Sequence, residues 1–286
     1  MMMLRHLARP VRSFSSAAAS CVTLEKQGTI GILRLNDPSR LNALTADMGD
    51  RVEELVQEIS DRASEFSAIV LTGEGRAFSA GGDLDFLTRR SLDTPTRNSV
   101  TMRKFYGRFL SLRSLPVPLI AAINGPAIGA GMCISLFADV RVAAKDAKLG
   151  FTFVHLGLHP GMACTHFLPS IVGPEKANYL LMSGKVISGE EAHQFGVVSK
   201  VVAKEDVVAE AITMAQEMTS GSSVATRSLL RSLRLKQDEG LERALWREAD
   251  SQANCYATAD YREGVDAIKT KRKPNFVTLE HYKEEL

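Results

Sequence analysis

Leu119–Ala144 reads LIAAINGPAIGAGMCISLFADVRVAA, and the fold is decided in this stretch. Leu119 to Ile123 is a short apolar run of strand length, closed by the turn pair Asn124-Gly125. Gly129 to Ala138 is built from small and apolar residues, which suits a helix buried on every side. Val140 to Ala144 is a second short run with β-branched residues. Strand, buried helix and strand in that order, with little polar alternation, describe a crossover onto a sheet covered on both faces.

Working towards the N-terminus, Ala68 to Leu71 (AIVL) is another buried strand, followed by a glycine-rich loop from Gly73 to Gly82. Thr29 to Leu35 (TIGILRL) is a strand with Cys21 to Glu25 as its hairpin partner and Gln27-Gly28 as the turn. Thr45 is placed to cap a helix carrying Met48, Val52, Leu55, Val56 and Ile59 at helical spacing, with Asp47 favourable in its first turn. Towards the C-terminus, Leu149 to Phe151 is a further strand. Beyond Gly173 the pattern turns helical, with segments at Pro174 to Ser183, Glu205 to Met218, Val224 to Leu235 and Gly240 to Ala257. The expected class is therefore α/β with a helical last third.

Composition narrows the function. Of 286 residues, 45% are hydrophobic and 24% charged, and the net charge is +2, too little for a bulk nucleic-acid binder. The basic run Lys269 to Lys273 is thin support for an RNA-binding side role. The four cysteines, Cys21, Cys133, Cys164 and Cys255, have neither C-x-x-C pairing nor zinc spacing, so free thiols and no metal site are expected. No apolar run reaches the length of a membrane span. Residues 1–20, MMMLRHLARPVRSFSSAAAS, carry Arg5, Arg9, Arg12 and several serines with no acid before Glu25, the composition of a mitochondrial transit peptide. The mitochondrial matrix is the expected location.

Several segments, in order, carry a more specific signal: Leu41–Leu44 (LNAL), Arg76–Asp83 (RAFSAGGD), Ala121–Asp139 (AAINGPAIGAGMCISLFAD), Leu156–Gly161 (LGLHPG) and Leu181–Gly196 (LMSGKVISGEEAHQFG). Val197 to Val202, Glu263-Gly264 and Lys271–Phe276 (KRKPNF) extend the match. Together they resemble the crotonase superfamily, the enoyl-CoA hydratase/isomerase family, from about Val22 to Phe276. The resemblance implies a crotonase-like spiral of ββα repeats over 21–215. It also implies a C-terminal helical region over 216–286 that assembles homotrimers, often paired as homohexamers. The implied ligand is an acyl-coenzyme A thioester, acting as substrate with no separate cofactor, within fatty-acid or branched-chain acyl-CoA metabolism.

By the same resemblance, the oxyanion donors are the backbone N–H groups of Gly82 and Ala130. The small residues around them, Ala80-Gly81-Gly82 and Gly129-Ala130-Gly131, are what close backbone approach requires. Arg40, Ala43 and Ala80 match the coenzyme-binding positions, with Lys271 and Lys273 as looser candidates. The positions of the two glutamates that activate water in hydratases of the family are Cys133 and Phe153 here. Two-glutamate hydration is therefore not expected, since a positioned acid–base group is worth about 10²–10⁴ in rate. His159 is the candidate replacement base; His155 and Asp83 are secondary, and His166 reads as structural. Two functions stay open: an active isomerase, hydrolase or hydratase-like enzyme, which the retained oxyanion loops favour, and a catalytically silent acyl-CoA-binding or assembly protein, which the missing acids favour.

Overall fold

The structure, a computed structural model, describes residues 20–276. The leader reading of residues 1–20 therefore falls almost wholly outside the described residues.

Strands β1 (Val22–Gln27) and β2 (Ile30–Leu35) form an antiparallel hairpin in register from Val22↔Leu35 to Gln27↔Ile30. The chain reverses at Gly28, whose φ of +62° is left-handed. Helix α1 (Ala46–Asp61) begins where Thr45 accepts the Met48 N–H at 3.1 Å, and buries Met48, Val52, Leu55, Val56 and Ile59 in the core. Strand β3 (Ala68–Gly73) is buried at every residue and runs parallel to β2. Then follow α2 (Leu84–Arg90), α3 (Pro95–Leu110) and β4 (Leu119–Ile123), the last parallel to β3.

The opening stretch folds as expected, with one refinement. Between β4 and β6 (Val140–Ala144) lie a two-residue strand β5 (Ala127–Ile128) and a short helix α4 (Ala130–Ser135), whose residues are all buried. The remaining elements are β7 (Lys148–Gly150), α5 (Cys164–Val172), α6 (Pro174–Ser183), β8 (Val186–Ser188), α7 (Gly189–Phe195), β9 (Lys200–Val202), α8 (Val207–Met218), α9 (Ser223–Gln237), α10 (Leu241–Tyr256) and α11 (Ala259–Lys269). The main sheet has the order β1-β2-β3-β4-β6-β9, and a second sheet has the order β5-β7-β8. Along the chain, β5 and then the pair β7 and β8 of the second sheet are interleaved between β4, β6 and β9 of the main sheet, so the chain winds back and forth between the two sheets as a spiral.

The line drawn at 215–216 passes through α8, which packs on β3, β4 and β6. The helices beyond it pack back on the core: α10 lies along α3, and α11 packs against the turn at Thr152–Leu156.

Candidate active site

The loop after β3 is held from two sides. Ala80 N–H donates to Leu41 O at 2.9 Å, Leu44 N–H to Gly81 O at 2.7 Å, and Asp83 N–H to Leu44 O at 3.1 Å. On its other side, Ile128 N–H donates to Ser79 O at 3.0 Å. Asn42 ties these segments together. Its side chain donates to Glu74 O (3.0 Å) and Ala77 O (2.8 Å) and accepts from Asp37 N–H (2.8 Å), with the residue fully buried at φ +55°. Ser79 Oγ donates to Asn42 O at 2.8 Å and accepts the Gly81 N–H.

These ties bring the two glycine-rich loops into contact. A Cβ on Gly81, at φ +96°, would lie 2.6 Å from Ile128 O and 3.6 Å from Ala130 N. Gly82 bridges Leu44 in parallel fashion through its neighbours' groups, leaving its own N–H turned away from that partner. Ala130 opens α4, where N–H groups have no intrahelical acceptor. Neither the Gly82 nor the Ala130 N–H finds an acceptor among the described residues, and both residues line one cavity of about 470 Å³.

The same cavity wall includes Arg40, Ala43 and Ala80, three of the residues matched to coenzyme binding. Arg40 is paired with Asp37 at 2.6 Å and with Asp83 at 3.5 Å. Asp83 takes the capping role, accepting Phe86 N–H at 2.9 Å. Lys271 and Lys273 are not on the wall; the C-terminal residue that reaches it is Ile268, and the neighbouring Arg272 pairs with Glu263 and Asp266.

Of the two positions matched to family glutamates, Phe153 lines the cavity, on the turn Thr152–Leu156, while Cys133 does not. Cys133 is sealed on α4 beside the Cys164 thiol, and burial raises its pKa, so it is an inert thiol. The structure does not bring His159 to the wall. Its Nδ1 sits 2.6 Å from Pro160 O, and burial lowers its pKa. What this residue offers the site is its backbone carbonyl, which accepts Gln252 Nε2–H at 2.8 Å. Further along this loop, the buried Met162 and Ala163 both adopt left-handed φ, of 61° and 56°. His155 is exposed and lies off the wall; His166 Nε2 contacts Gln237 O at 2.7 Å, a structural role.

The segment from Leu84 to Tyr106, where the family resemblance places pocket residues, supplies Leu84, Phe86, Leu87, Met102, Phe105 and Tyr106 to the wall. Gln252 and Tyr256 on α10, which carried no legible signal, stand with Tyr106 at one end of the cavity. Glu248, fully buried on the same helix, accepts Ala163 N–H (2.6 Å) and Thr165 N–H (2.9 Å) and so fastens the loop bearing Met162, a wall residue. Burial pushes its carboxyl up to about 7, against the opposing pull of those hydrogen bonds. Only helical contact between α3 and α10, more than a hundred residues apart in sequence, assembles these groups.

A spiral of parallel strands whose crossovers present two open amide groups to one cavity defines a crotonase-type protein. The chain belongs to the enoyl-CoA hydratase/isomerase family, whose model matches residues 25–278. It is 33% identical over 258 residues to crotonyl-CoA hydratase of Syntrophomonas wolfei, covering 90% of this chain and 98% of that one. It is likewise 33% identical to 1,2-epoxyphenylacetyl-CoA isomerase of Escherichia coli, covering 85% and 93%. Among solved structures, an enoyl-CoA hydratase/isomerase from Pseudoalteromonas atlantica superposes with a TM-score of 0.78 at 28% identity, over 90% of this chain and 100% of that one.

Proposed function

We propose that this chain binds an acyl-CoA thioester with its carbonyl oxygen between the N–H groups of Gly82 and Ala130 and stabilises the charge that builds there as an enolate or tetrahedral oxyanion forms. The observation that carries this reading is the pair of acceptor-free amides on abutting loops that line one cavity. Preformed donors of this kind supply several kcal/mol to a transition state, roughly 3–4 kcal/mol for a single donor. Arg40, Ala43 and Ala80 mark the coenzyme side. The coenzyme A ester is itself the reactant, and no further cofactor is needed.

The reaction is not two-glutamate hydration. The carboxylates on the wall are Asp83, engaged as a helix cap, and the exposed Asp85, while Phe153 is apolar. Double-bond isomerisation or thioester hydrolysis, in fatty-acid or branched-chain acyl-CoA metabolism of the mitochondrial matrix, is the activity proposed. A second reading, a catalytically silent acyl-CoA-binding or assembly protein, is favoured by the same Phe153 and by the absence of His159 from the wall. A panel of acyl- and enoyl-CoA esters assayed for hydration, double-bond shift and CoA release tests both. Turnover by shift or CoA release supports the first reading; tight binding with no turnover on any ester supports the second; absence of any CoA-ester binding overturns both.

A further inference from the structure

Exposure sorts the cavity lining into a rim and a blind end. Arg40 has a side chain 56% exposed, and Ile268 is 45% exposed, whereas Tyr106, Gln252 and Tyr256 are at most 2% exposed. Most of the blind end is apolar, walled by Met102, Phe105, Leu158 and Met162. Within it the polar side chains form a single cluster. Tyr106 Oη–H donates to Gln252 Oε1 at 2.6 Å, Tyr256 Oη–H is shared between Gln252 Oε1 at 3.1 Å and Met102 Sδ at 3.3 Å, and Gln252 Nε2–H donates to His159 O at 2.8 Å. The carbonyl of His159 fixes which end of the amide is nitrogen, because a flipped amide would set oxygen against oxygen.

This arithmetic leaves something over. Gln252 has a second N–H, and both phenol oxygens have lone pairs, with no partner for them among the described residues. Gly161 makes room for the cluster: a Cβ there would lie 2.4 Å from Tyr106 Oη and 2.6 Å from Gln252 Nε2. Burial raises both phenol pKa values well above the ordinary range, so the cluster is neutral.

We propose that this blind end selects acyl chains carrying a hydroxyl group distal to the thioester over plain alkyl chains of the same length. An alcohol matches what is left over, since it accepts the spare amide N–H and donates to a phenol oxygen. A carboxylate does not match, because among the described residues Arg40 is the one cation on the wall, and it stands at the rim beside Asp37 and Asp83. A methyl terminus would leave the spare N–H buried and dry. The inference rests on the acyl-CoA reading above.

The test is a matched series on the full chain: butanoyl- to octanoyl-CoA, each beside its terminally hydroxylated counterpart, with affinities measured by titration calorimetry. At the length that reaches the cluster, the hydroxylated ester is expected to bind about tenfold tighter, the usual worth of a satisfied buried hydrogen bond. In Tyr106→Phe and in Gln252→Leu that ratio is expected to fall to about one; Tyr106→Phe is nearly isosteric and guards against misfolding of the second variant. If plain esters bind and no length shows a preference, the inference fails while the acyl-CoA reading stands. A preference that survives in both variants also overturns it. If no CoA ester binds, both fall together.

Discussion

Gly131 shows how little room the site has at the residue scale. A Cβ there would lie 2.5 Å from Ser79 O and 2.7 Å from Ser79 Cβ, so Gly131→Ala must force the two amide-bearing loops apart without removing either N–H. The expected result is a loss of acyl-CoA turnover or affinity of about tenfold or more, because misplacement by a fraction of an ångström weakens preformed donors. Steady-state kinetics or calorimetry beside a thermal melt reads this, and unchanged function would show that the loops are not coupled. Glu248 carries a pH prediction. Its folded-state pKa is raised to about 7 from an ordinary 4.5, so the folded protein holds a proton that the unfolded chain gives up. Its contribution to stability is full below about pH 4.5 and is lost as pH rises through about 7. Glu248→Gln is expected to flatten that part of the stability profile in denaturant titrations between pH 5 and 7.5; an unaltered slope would show that the carboxyl does not titrate there.

At the scale of elements, α9 is pinned to the sheet by one buried cation. Arg234 pairs with Asp139 at 2.6 Å and donates to Arg113 O at 2.9 Å and Leu115 O at 2.6 Å, at the entry to β4. Asp139 also accepts Leu119 N–H at 2.8 Å, so the ion pair joins helix, strand start and the end of the α4 segment. Arg234→Ala strips the buried Asp139 carboxylate of its nearer cation, leaving it the Leu119 N–H and the more distant Arg113 guanidinium at 3.8 Å, and removes the donor to two carbonyls; it is expected to cost about 3–5 kcal/mol in urea unfolding. A change within about 0.5 kcal/mol, the ordinary surface range, would mean that the Arg234–Asp139 pair does not hold α9, which also has Arg227 donating to Ala63 O and Phe66 O.

For the whole molecule, the decisive feature is that the C-terminal helices close the chain's own cavity. Gln252 and Tyr256 from α10 and Ile268 from α11 stand on its wall, and Tyr261 Oη donates to Leu87 O at 2.8 Å, tying α11 to α2. Truncation after Thr258 removes that tie together with Ile268. The shortened chain is expected to stay folded by circular dichroism and to bind acyl-CoA esters about tenfold or more weakly, since the cavity loses an apolar wall; retained affinity would show that α11 is not part of the site. Assembly into trimers or hexamers is a separate expectation, read from the mass in solution by light scattering. The exposed apolar residues Leu229, Leu233 and Trp246 on α9 and α10 are available to such contacts.

Read on its own, the chain's sequence established the local order. Apolar run lengths marked β3, β4 and β6, the Thr45 cap marked α1, and glycine spacing marked the loops that carry Gly82 and Ala130, because strand burial, capping and close backbone approach each leave a signature within a few residues. Arg40, Ala43 and Ala80 came from the family resemblance alone, and the structure sets all three on the same cavity wall. His159, Lys271 and Lys273 do not stand on this chain's cavity wall, because a residue's distance from a motif in sequence says nothing about which way its side chain turns. Tertiary structure alone decided that the wall is completed by Gln252 and Tyr256 opposite Tyr106, that Glu248 fastens the adjoining loop, and that Asn42 and Ser79 staple the amide-bearing segments. Those contacts join residues far apart along the chain, and only the packing of α10 on α3 and of the 41–44 turn on the loop after β3 brings them within hydrogen-bonding reach.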